Sequence, residues 1–324
     1  MRIRPKHLLL GLVLTSCSSQ LLKFEDKDFE NQSEYHKEVK VIQLVPEATP
    51  TPAPVVTSDL SKPEKKVVKA TPKKVVKKIP PAIRSNKTVN FKEAPSLKPG
   101  QSFSILMTYL GMTAGELIFS VKNPVILNDR KSYHFQVEAR TLKIFEMIYK
   151  VNNVVNTYAD YETLVPYSYE LDVQETKKVR QARAVFDHKK EEVRYWEKLY
   201  SKKDGLKKID EVWPLHKNAQ NAFSAQFFMR TLDFSDKKPK EIWITHNKEN
   251  LKVVLNVMGE EKVKNKLGEF DCVIVKPTPY LKGKEKSMGE VLYWITKDER
   301  KIIVKIEAKI KIGSLKGEIQ SLNF

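Results

Sequence analysis

The side chains that most often perform nucleophilic chemistry are few in this chain of 324 residues, which has two cysteines. Cys272 lies between Phe270 and Ile274 in an alternating apolar run. Alternation places these three side chains on one face of a predicted strand. A catalytic thiolate needs a neighbouring base or cation, and no histidine is near Cys272 in the sequence. We therefore predict that Cys272 is a small buried core residue.

Histidines and carboxylates do not form the patterns of known catalytic or metal sites. The Gly-x-Ser-x-Gly, phosphate-loop and His-Glu-x-x-His motifs are absent from the sequence. Two carboxylate pairs, 160/162 and 298/299, fall at predicted turns, where solvent exposure explains them. We therefore expect no enzymatic activity, no metal and no cofactor. An enzyme of unknown type is the third alternative, after a binding protein and a structural protein. The histidines downstream of the first seventeen residues are scattered: His36, His134, His188, His216 and His246.

Aromatic side chains are the candidates for a binding site. A curved antiparallel sheet or half-open barrel can hold an apolar ligand in its mouth, and the four tryptophans could line such a cavity. Core packing is the competing explanation for the aromatic residues near position 225. Ser224 and Arg230 lie six residues apart in a predicted helix, so they face different ways, and Arg230 is expected to satisfy a buried or rim partner. The candidate ligand-lining residues are Trp196, Trp213, Trp243, Trp294, Phe223 and Phe227.

The N-terminus carries the pattern that is most specific for chemistry. Three basic residues are followed by an apolar run from position 8 to 14 and then by Leu14-Thr15-Ser16-Cys17. The run is far shorter than the roughly 20 residues of a membrane-spanning helix. A basic start, a short apolar middle and small residues before a cleavage site predict an export signal over residues 1–16.

The segment around Cys17 resembles a bacterial lipobox, in which the cysteine becomes the lipid-carrying first residue. Acyl chains such as palmitate contribute about 0.8 kcal/mol per buried methylene, and more than one chain is needed for stable anchoring. Ser18, rather than Asp, predicts sorting to the outer membrane with the protein facing the periplasm. The alternative is a plain secretory signal that leaves a soluble periplasmic protein with a free Cys17.

The residues between the signal and position 100 predict a tether. Residues 17–48 are acidic with scattered apolar residues, and we expect them to be disordered. Residues 49–100 form a linker rich in proline and lysine, which favours an extended, solvated chain. Residues 61–90 alone hold ten basic residues and one glutamate, half of the net charge of +18. The candidate contacts to an anionic surface are the lysines of a repeated unit: Lys65, Lys66, Lys69, Lys73, Lys74, Lys77 and Lys78.

Residues 101–324 change to short alternating runs, which predict an all-β domain. Strands are expected at 102–110, 116–121, 132–139, 151–158, 167–173, 179–186, 192–200, 241–245, 251–258, 270–276, 291–296, 301–312 and 315–322. Helical spacing predicts one helix over residues 214–232, which begins at Pro214. Residues 142–149 could form a short helical turn. The predicted fold class is a curved antiparallel sheet, a sandwich or a half-open barrel with one packed helix, preceded by a disordered linker.

Five blocks resemble the bacterial domain-of-unknown-function family 3108 in the order expected for it. They are residues 109–116, with Gly111 and Gly115 flanking a turn, then 149–166, 223–230, 268–277 and 292–300. Two departures are visible: Asn221 and Ala222 stand where the family often has an acidic residue, and residues 301–304 lack a proline. The resemblance implies an all-β architecture and an exported protein, and it implies no activity.

The sequence therefore predicts a lipid-anchored envelope protein that presents a β-domain on a basic spacer and binds an apolar or envelope-derived small molecule. A structural protein that contacts peptidoglycan or anionic lipid through the lysine-rich linker is the second alternative. Nucleic acid is not expected as a partner, because no aromatic residues are interleaved with the lysines.

Overall fold

The computed structural model describes residue 24 and residues 32–44, 95–286, 289–310 and 313–324. The predicted signal, Cys17, Ser18 and the seven lysines predicted to contact an anionic surface lie outside these residues. The described part is mostly β-structure, with two short α-helices, α1 (Gln32–Glu38) and α2 (Ser224–Met229), and 3-10 turns at Pro95–Leu97 and Lys143–Phe145. In this part, no helix has the length and apolar character needed to cross a membrane.

The strands form one antiparallel sheet, which confirms the predicted fold class. They are β1 (Val41–Gln43), β2 (Ser102–Tyr109), β3 (Met112–Leu127), β4 (Arg130–Thr141), β5 (Val151–Asp160), β6 (Pro166–Glu175), β7 (Lys178–Asp187), β8 (Glu192–Ser201), β9 (Gly205–Pro214), β10 (Lys240–His246), β11 (Glu249–Asn265), β12 (Gly268–Leu281), β13 (Lys284–Glu285), β14 (Glu290–Thr296), β15 (Ile303–Ile310) and β16 (Gly313–Asn323). Their order is β10-β11-β12-β14-β15-β16-β2-β3-β4-β5-β6-β7-β8-β9, with β1 beside β3 and β13 beside β12.

The sheet curls until its two end strands meet without closing. Phe135 on β4 and Leu255 on β11 are far apart in the strand order, yet they belong to one buried apolar cluster. At the ends of the order, the Nε1–H of Trp213 on β9 donates a hydrogen bond to Thr245 Oγ1 on β10 at 3.1 Å. No backbone ladder joins β9 to β10 in the described residues. The result is a half-open barrel, and we call the gap between β9 and β10 the seam.

The chain between β9 and α2 lies along the seam. Gln220 bonds to the outer edge of β10 through two backbone hydrogen bonds, from its N–H to Trp243 O at 2.7 Å and from Thr245 N–H to its own carbonyl at 2.8 Å. Asn250 Nδ2 donates to Pro214 O at 2.8 Å and secures the start of the segment. This segment satisfies part of an edge that would otherwise expose unpaired backbone groups.

The predicted helix over residues 214–232 is wrong in its first half. Pro214 ends β9, which the sequence analysis did not assign, and α2 begins only at Ser224. An edge strand tolerates proline because its outer N–H groups need no partner. The helix starts where Asn221 Oδ1 accepts hydrogen bonds from the N–H groups of Phe223 and Ser224, both at 2.8 Å.

The expected disorder of residues 17–48 does not hold for residues 32–44. Tyr35 on α1 is fully buried and makes an edge contact with Trp196 on β8, at 6.2 Å between ring centroids. Arg194 donates to Glu34 and Glu38 on the same helix at 3.0 and 2.9 Å. These contacts join segments about 160 residues apart, so local sequence does not reveal them.

The packed domain also begins before residue 101. Ser96 and Leu97 are buried in the 3-10 turn. Gly100 N–H donates to Val121 O at 2.8 Å, and Val121 N–H donates to Gln101 O at 2.9 Å. The turn is therefore part of the β-domain rather than the end of the linker.

Candidate functional site

A cavity of about 360 Å³ lies beside the seam. One wall is the concave side of β6 to β9, and the opposite wall is the turn between β10 and β11 together with the segment before α2. Its apolar lining comes mainly from aromatic residues, and the volume falls in the usual range for small-molecule sites. The main apolar lining residues are Tyr169, Leu171, Phe186, Ile209, Trp213 and Phe223.

A charged group lies within this apolar lining. Arg180 on β7 donates to Glu197 Oε2 on β8 through Nε at 2.8 Å and through Nη2 at 2.6 Å. Arg180 Nη2 also donates to Tyr195 Oη at 2.9 Å, and the Tyr195 hydroxyl donates to Glu197. Charges in a low-dielectric site are tolerated when they are paired and hydrogen-bonded in this way.

Strand alternation brings these three side chains to one face. Tyr195 belongs to the same buried cluster as Ala182 and Ala184, so the even positions of β7 and the odd positions of β8 point inward. Arg180 and Glu197 occupy such inward positions. Burial, followed by the hydrogen bond with Glu197, raises the pKa of Tyr195 to about 12. The phenol therefore stays protonated at neutral pH and remains a hydrogen-bond donor.

The remaining polar lining comes from the seam. Lys248 pairs with Glu211 at 2.7 Å across the gap between the β10–β11 turn and β9. Burial, with the neighbouring charges of Arg180 and Lys286, lowers the pKa of His246 from its ordinary value. The charged side chains of the site are thus mutually compensated.

Asn221 leaves one hydrogen-bond donor unused beside the cavity. Its side chain is among the lining residues and is 2 % exposed. Its Oδ1 accepts from the start of α2, whereas its Nδ2 has no hydrogen-bond partner in the described part of the chain. A buried amide without a partner costs free energy, about 1–3 kcal/mol, and a bound acceptor would recover it.

The structure brings together only part of the predicted ligand-lining set. Phe223 and Trp213 line the cavity. Trp243 instead stacks on His216, at 3.6 Å between centroids, in a separate depression. The other three are packing residues: Trp196 lies against α1, and Trp294 and Phe227 are in the main core. Alternation identifies the two faces of a strand but not which face the curl of the sheet turns toward the cavity, so the sequence pattern could not separate these three residues from the lining residues.

Arg180, Tyr195, Glu197 and Asn221 were missed by the sequence analysis. The available signal was weak: an arginine and a glutamate at inward positions of two strands whose buried inward residues are otherwise alanine, phenylalanine, valine and tyrosine. Isolated charges in an alternating strand mark a site only once the inward face is known.

Two other sequence predictions are settled by the geometry. Cys272 is completely buried in the main core, and its thiol donates to Phe270 O at 3.4 Å. Burial raises the pKa of Cys272 to about 12, so it is a core residue as predicted. Arg230 is also buried and donates to three backbone carbonyls. The described residues contain no group of three or more His, Cys, Asp or Glu side chains suited to a metal ion.

Sequence comparison identifies the family. The model of the family described as "Protein of unknown function (DUF3108)" matches residues 104–320. This chain belongs to the DUF3108 family. The match covers the strands from β2 to β16 and includes every residue that lines the seam cavity. No match is found among curated proteins.

The DUF3108 chain is also similar to solved structures at low sequence identity. One is a β-barrel-like protein of the domain of unknown function DUF1849 from Brucella abortus, with 9 % identity, a TM-score of 0.42, and coverage of 69 % of this chain and 96 % of that one. A second is a candidate exported protein with a YmcC-like fold from Bacteroides fragilis, with 8 % identity, a TM-score of 0.31, and coverage of 70 % and 97 %. A third is a candidate lipoprotein from Parabacteroides distasonis, with 12 % identity, a TM-score of 0.31, and coverage of 70 % and 96 %.

Proposed function

We propose that this protein is held in the bacterial cell envelope by lipid on Cys17 and that its β-domain binds a small amphiphilic molecule in the seam cavity. The binding proposal rests on one observation. Aromatic and aliphatic walls surround a polar group in which Tyr195 and Glu197 are buried and the Arg180 side chain is about one-third exposed. A purely apolar ligand would leave this group and Asn221 Nδ2 without new partners.

The cavity chemistry favours a ligand with two distinct parts. Rings or short alkyl chains gain from burial against Phe186, Trp213 and Phe223, at about 25 cal/mol per Å² of apolar surface. A hydrogen-bond acceptor on the same molecule can pair with Asn221 Nδ2 or with Arg180. The sequence predicts an apolar or envelope-derived ligand, and the polar lining favours an amphiphile among such ligands. No catalytic step is proposed for the site.

Binding in the cavity is tested with a probe that has both parts, 1-anilinonaphthalene-8-sulfonate. Ala222 lines the cavity, so Ala222→Phe fills part of it with a ring. Val212 is exposed on β9 beside the cavity residue Trp213, so Val212→Phe adds the same ring outside. We expect one saturable probe site in the natural chain and in Val212→Phe, and at least about tenfold weaker binding in Ala222→Phe. Equal probe titrations for all three chains would contradict the cavity as a binding site.

The natural ligand is sought by native mass spectrometry of the protein released from its own envelope. An added mass that is present in Val212→Phe and missing from Ala222→Phe would identify a cavity ligand. Co-sedimentation with purified peptidoglycan that ends when the seven linker lysines become glutamine, with no such added mass, would favour the structural alternative instead.

The anchor rests on the pattern from Arg2 to Cys17, and Ser18 supports an outer-membrane destination. The chain has two cysteines, so replacing each of them in turn by alanine gives a matched pair of variants. In cells fed an alkyne analogue of palmitate, we expect the natural chain and Cys272→Ala to take up the label and Cys17→Ala to take up none. Label retained by Cys17→Ala would overturn the proposed anchor.

A further inference from the structure

Four connections that are neighbours at one end of the sheet form a surface that we call the loop rim: the β2–β3 turn and residues 142–150, 176–178 and 200–208. Hydrogen bonds join them in sequence. Leu142 N–H donates to Ala114 O at 3.0 Å, and the backbones of Lys150 and Thr176 are also bonded, at 3.1 Å. Lys178 is paired with Ser201 in the ladder between β7 and β8. The loop rim is therefore one continuous surface.

The loop rim exposes large apolar side chains. Ile144, Met147 and Ile148 are 77–82 % exposed and are the three most exposed large apolar residues in the described part of the chain. Leu110 and Met112 in the neighbouring turn are also mainly exposed. Exposed apolar residues clustered on one face usually mark an interaction surface, whereas single ones need no explanation.

The same surface is strongly basic. Residues 142–150, 176–178 and 200–208 contain eight lysines and two acidic residues. Two lysines have local partners: Lys150 pairs with Glu146 at 2.9 Å and Lys178 with Glu175 at 3.4 Å. The lysines at 177, 202, 203, 207 and 208 are exposed on the connections of the loop rim that follow in the strand order.

This combination distinguishes between two kinds of partner. Protein–protein interfaces are depleted in lysine at their centres. A bilayer surface with anionic headgroups attracts lysines and accepts apolar side chains a short distance below them. Lysine suits this boundary because its alkyl stem can lie along apolar surface while its ammonium group stays in water.

We propose that the loop rim is a docking surface for an anionic phospholipid bilayer, with Ile144, Met147 and Ile148 inserted between the headgroups. Exposure and charge carry this proposal, and it depends neither on the lipid at Cys17 nor on a ligand in the seam cavity. It gives the domain a preferred orientation on the membrane, with the loop rim against the lipid and the β3–β4 turn, at the opposite end of the strands, directed away.

The experiment places an environment-sensitive fluorophore on the loop rim. The protein used begins at residue 17 with Cys17→Ala, and the seven repeat lysines between positions 65 and 78 are changed to glutamine, so that neither lipid nor the charge of this repeat brings it to the vesicles. Met147→Cys then supplies the labelling site, because Cys272 is completely buried. The matched control is Ile42→Cys on β1, which is 60 % exposed and pairs with Ile126 near the opposite end of the sheet.

Vesicles of phosphatidylethanolamine and phosphatidylglycerol at 3:1 should shift the emission of the label at position 147 to shorter wavelength and leave that at position 42 unchanged. We expect Ile144→Ser with Ile148→Ser to weaken vesicle binding at least about tenfold, and pure phosphatidylcholine vesicles to bind less. Because both side chains are exposed, the serine variant should keep its fold, which circular dichroism checks.

Three results would overturn the proposal. The first is an unchanged emission at position 147 in the presence of anionic vesicles. The second is an equal shift at both labelled positions, which would show adsorption without the proposed orientation. The third is a shift at position 147 that appears without vesicles as protein concentration rises, which would assign the apolar surface to a second copy of the chain.

Discussion

Arg230 is the clearest case of a single residue that connects distant parts of the chain. It is 2 % exposed and follows α2 directly. Its Nη2 donates to Ser96 O at 2.5 Å and to Arg300 O at 3.2 Å, and its Nε donates to Lys301 O at 3.1 Å. Its guanidinium also lies over the ring of Phe103, at 5.2 Å from the centroid. Burial lowers the pKa of Arg230 to about 9, so the cation persists at neutral pH.

We expect Arg230→Met to destabilise the domain by about 3 kcal/mol, because three carbonyls lose their donor and buried acceptors without partners are costly. Arg230→Lys should lose less, since it keeps the charge but cannot reproduce the planar fork. Urea denaturation monitored by tryptophan fluorescence measures both.

Arg300→Met is the matched control for this prediction. The side chain of Arg300 is partly exposed and pairs locally with Asp298, so its removal should change the free energy of unfolding by less than about 1 kcal/mol. If Arg230→Met were as stable as Arg300→Met, the connecting role of Arg230 would be refuted.

At the scale of elements, alternation predicted most of the sheet. The thirteen strands expected from period-2 patterns are present, although several extend beyond the predicted ends. They could be predicted because one face of each strand is buried and the other is not, which is a local property of the sequence. Neither their order nor the curl of the sheet is local, so neither could be derived from the pattern.

Strand β9 was missed for a physical reason. Its residues include Lys207, Lys208 and Asp210, and only the last part carries large inward side chains. Edge strands often carry lysine because charge discourages pairing with another chain, and this same feature hides them from a hydrophobic pattern. The helix predicted after Pro214 failed because Ala219 and Ala222 have helical spacing, while the backbone at Gln220 is bonded to β10.

The seam cavity could be predicted only in outline. A half-open sheet with aromatic lining was expected, and Trp213 and Phe223 are part of it. Arg180 and Glu197 come together because β7 and β8 are neighbours in a particular register, and the register is fixed by long-range pairing. The position of α1 on Arg194 and Trp196 depends on contacts of the same kind.

For the molecule as a whole, the free energy of unfolding should fall continuously as the pH is lowered. Burial lowers the pKa of His134 and of His188, although Asn156 Oδ1 and Pro166 O accept hydrogen bonds from their rings at 2.9 and 2.8 Å. At Asp187, burial favours the neutral acid, but hydrogen bonds from the N–H groups of residues 189 and 190 outweigh it and lower the pKa.

In all three residues the pKa is lower in the folded state than in the unfolded chain. The unfolded chain therefore binds more protons, and the free energy of unfolding must fall as pH falls. Protonation of the histidines lowers the free energy of unfolding first, as the pH drops below their ordinary pKa of 6.5. Protonation of Asp187 lowers it further near and below about pH 4. Urea denaturation should show a free energy of unfolding that falls between pH 7 and pH 5. The slope contains contributions from His134, His188 and His246, whose pKa values are all lowered by burial, and these three residues supply at most three protons.

The double variant His134→Gln with His188→Gln isolates this effect, because glutamine keeps a side-chain N–H donor and does not titrate. We expect the slope between pH 7 and 5 to become smaller in this variant. The matched control is His36→Gln at an exposed position of α1, which should leave the slope of the natural chain unchanged. A stability that rises toward pH 5 in the natural chain, or an equal slope in all three proteins, would show that the two half-buried histidines do not govern its response to acid.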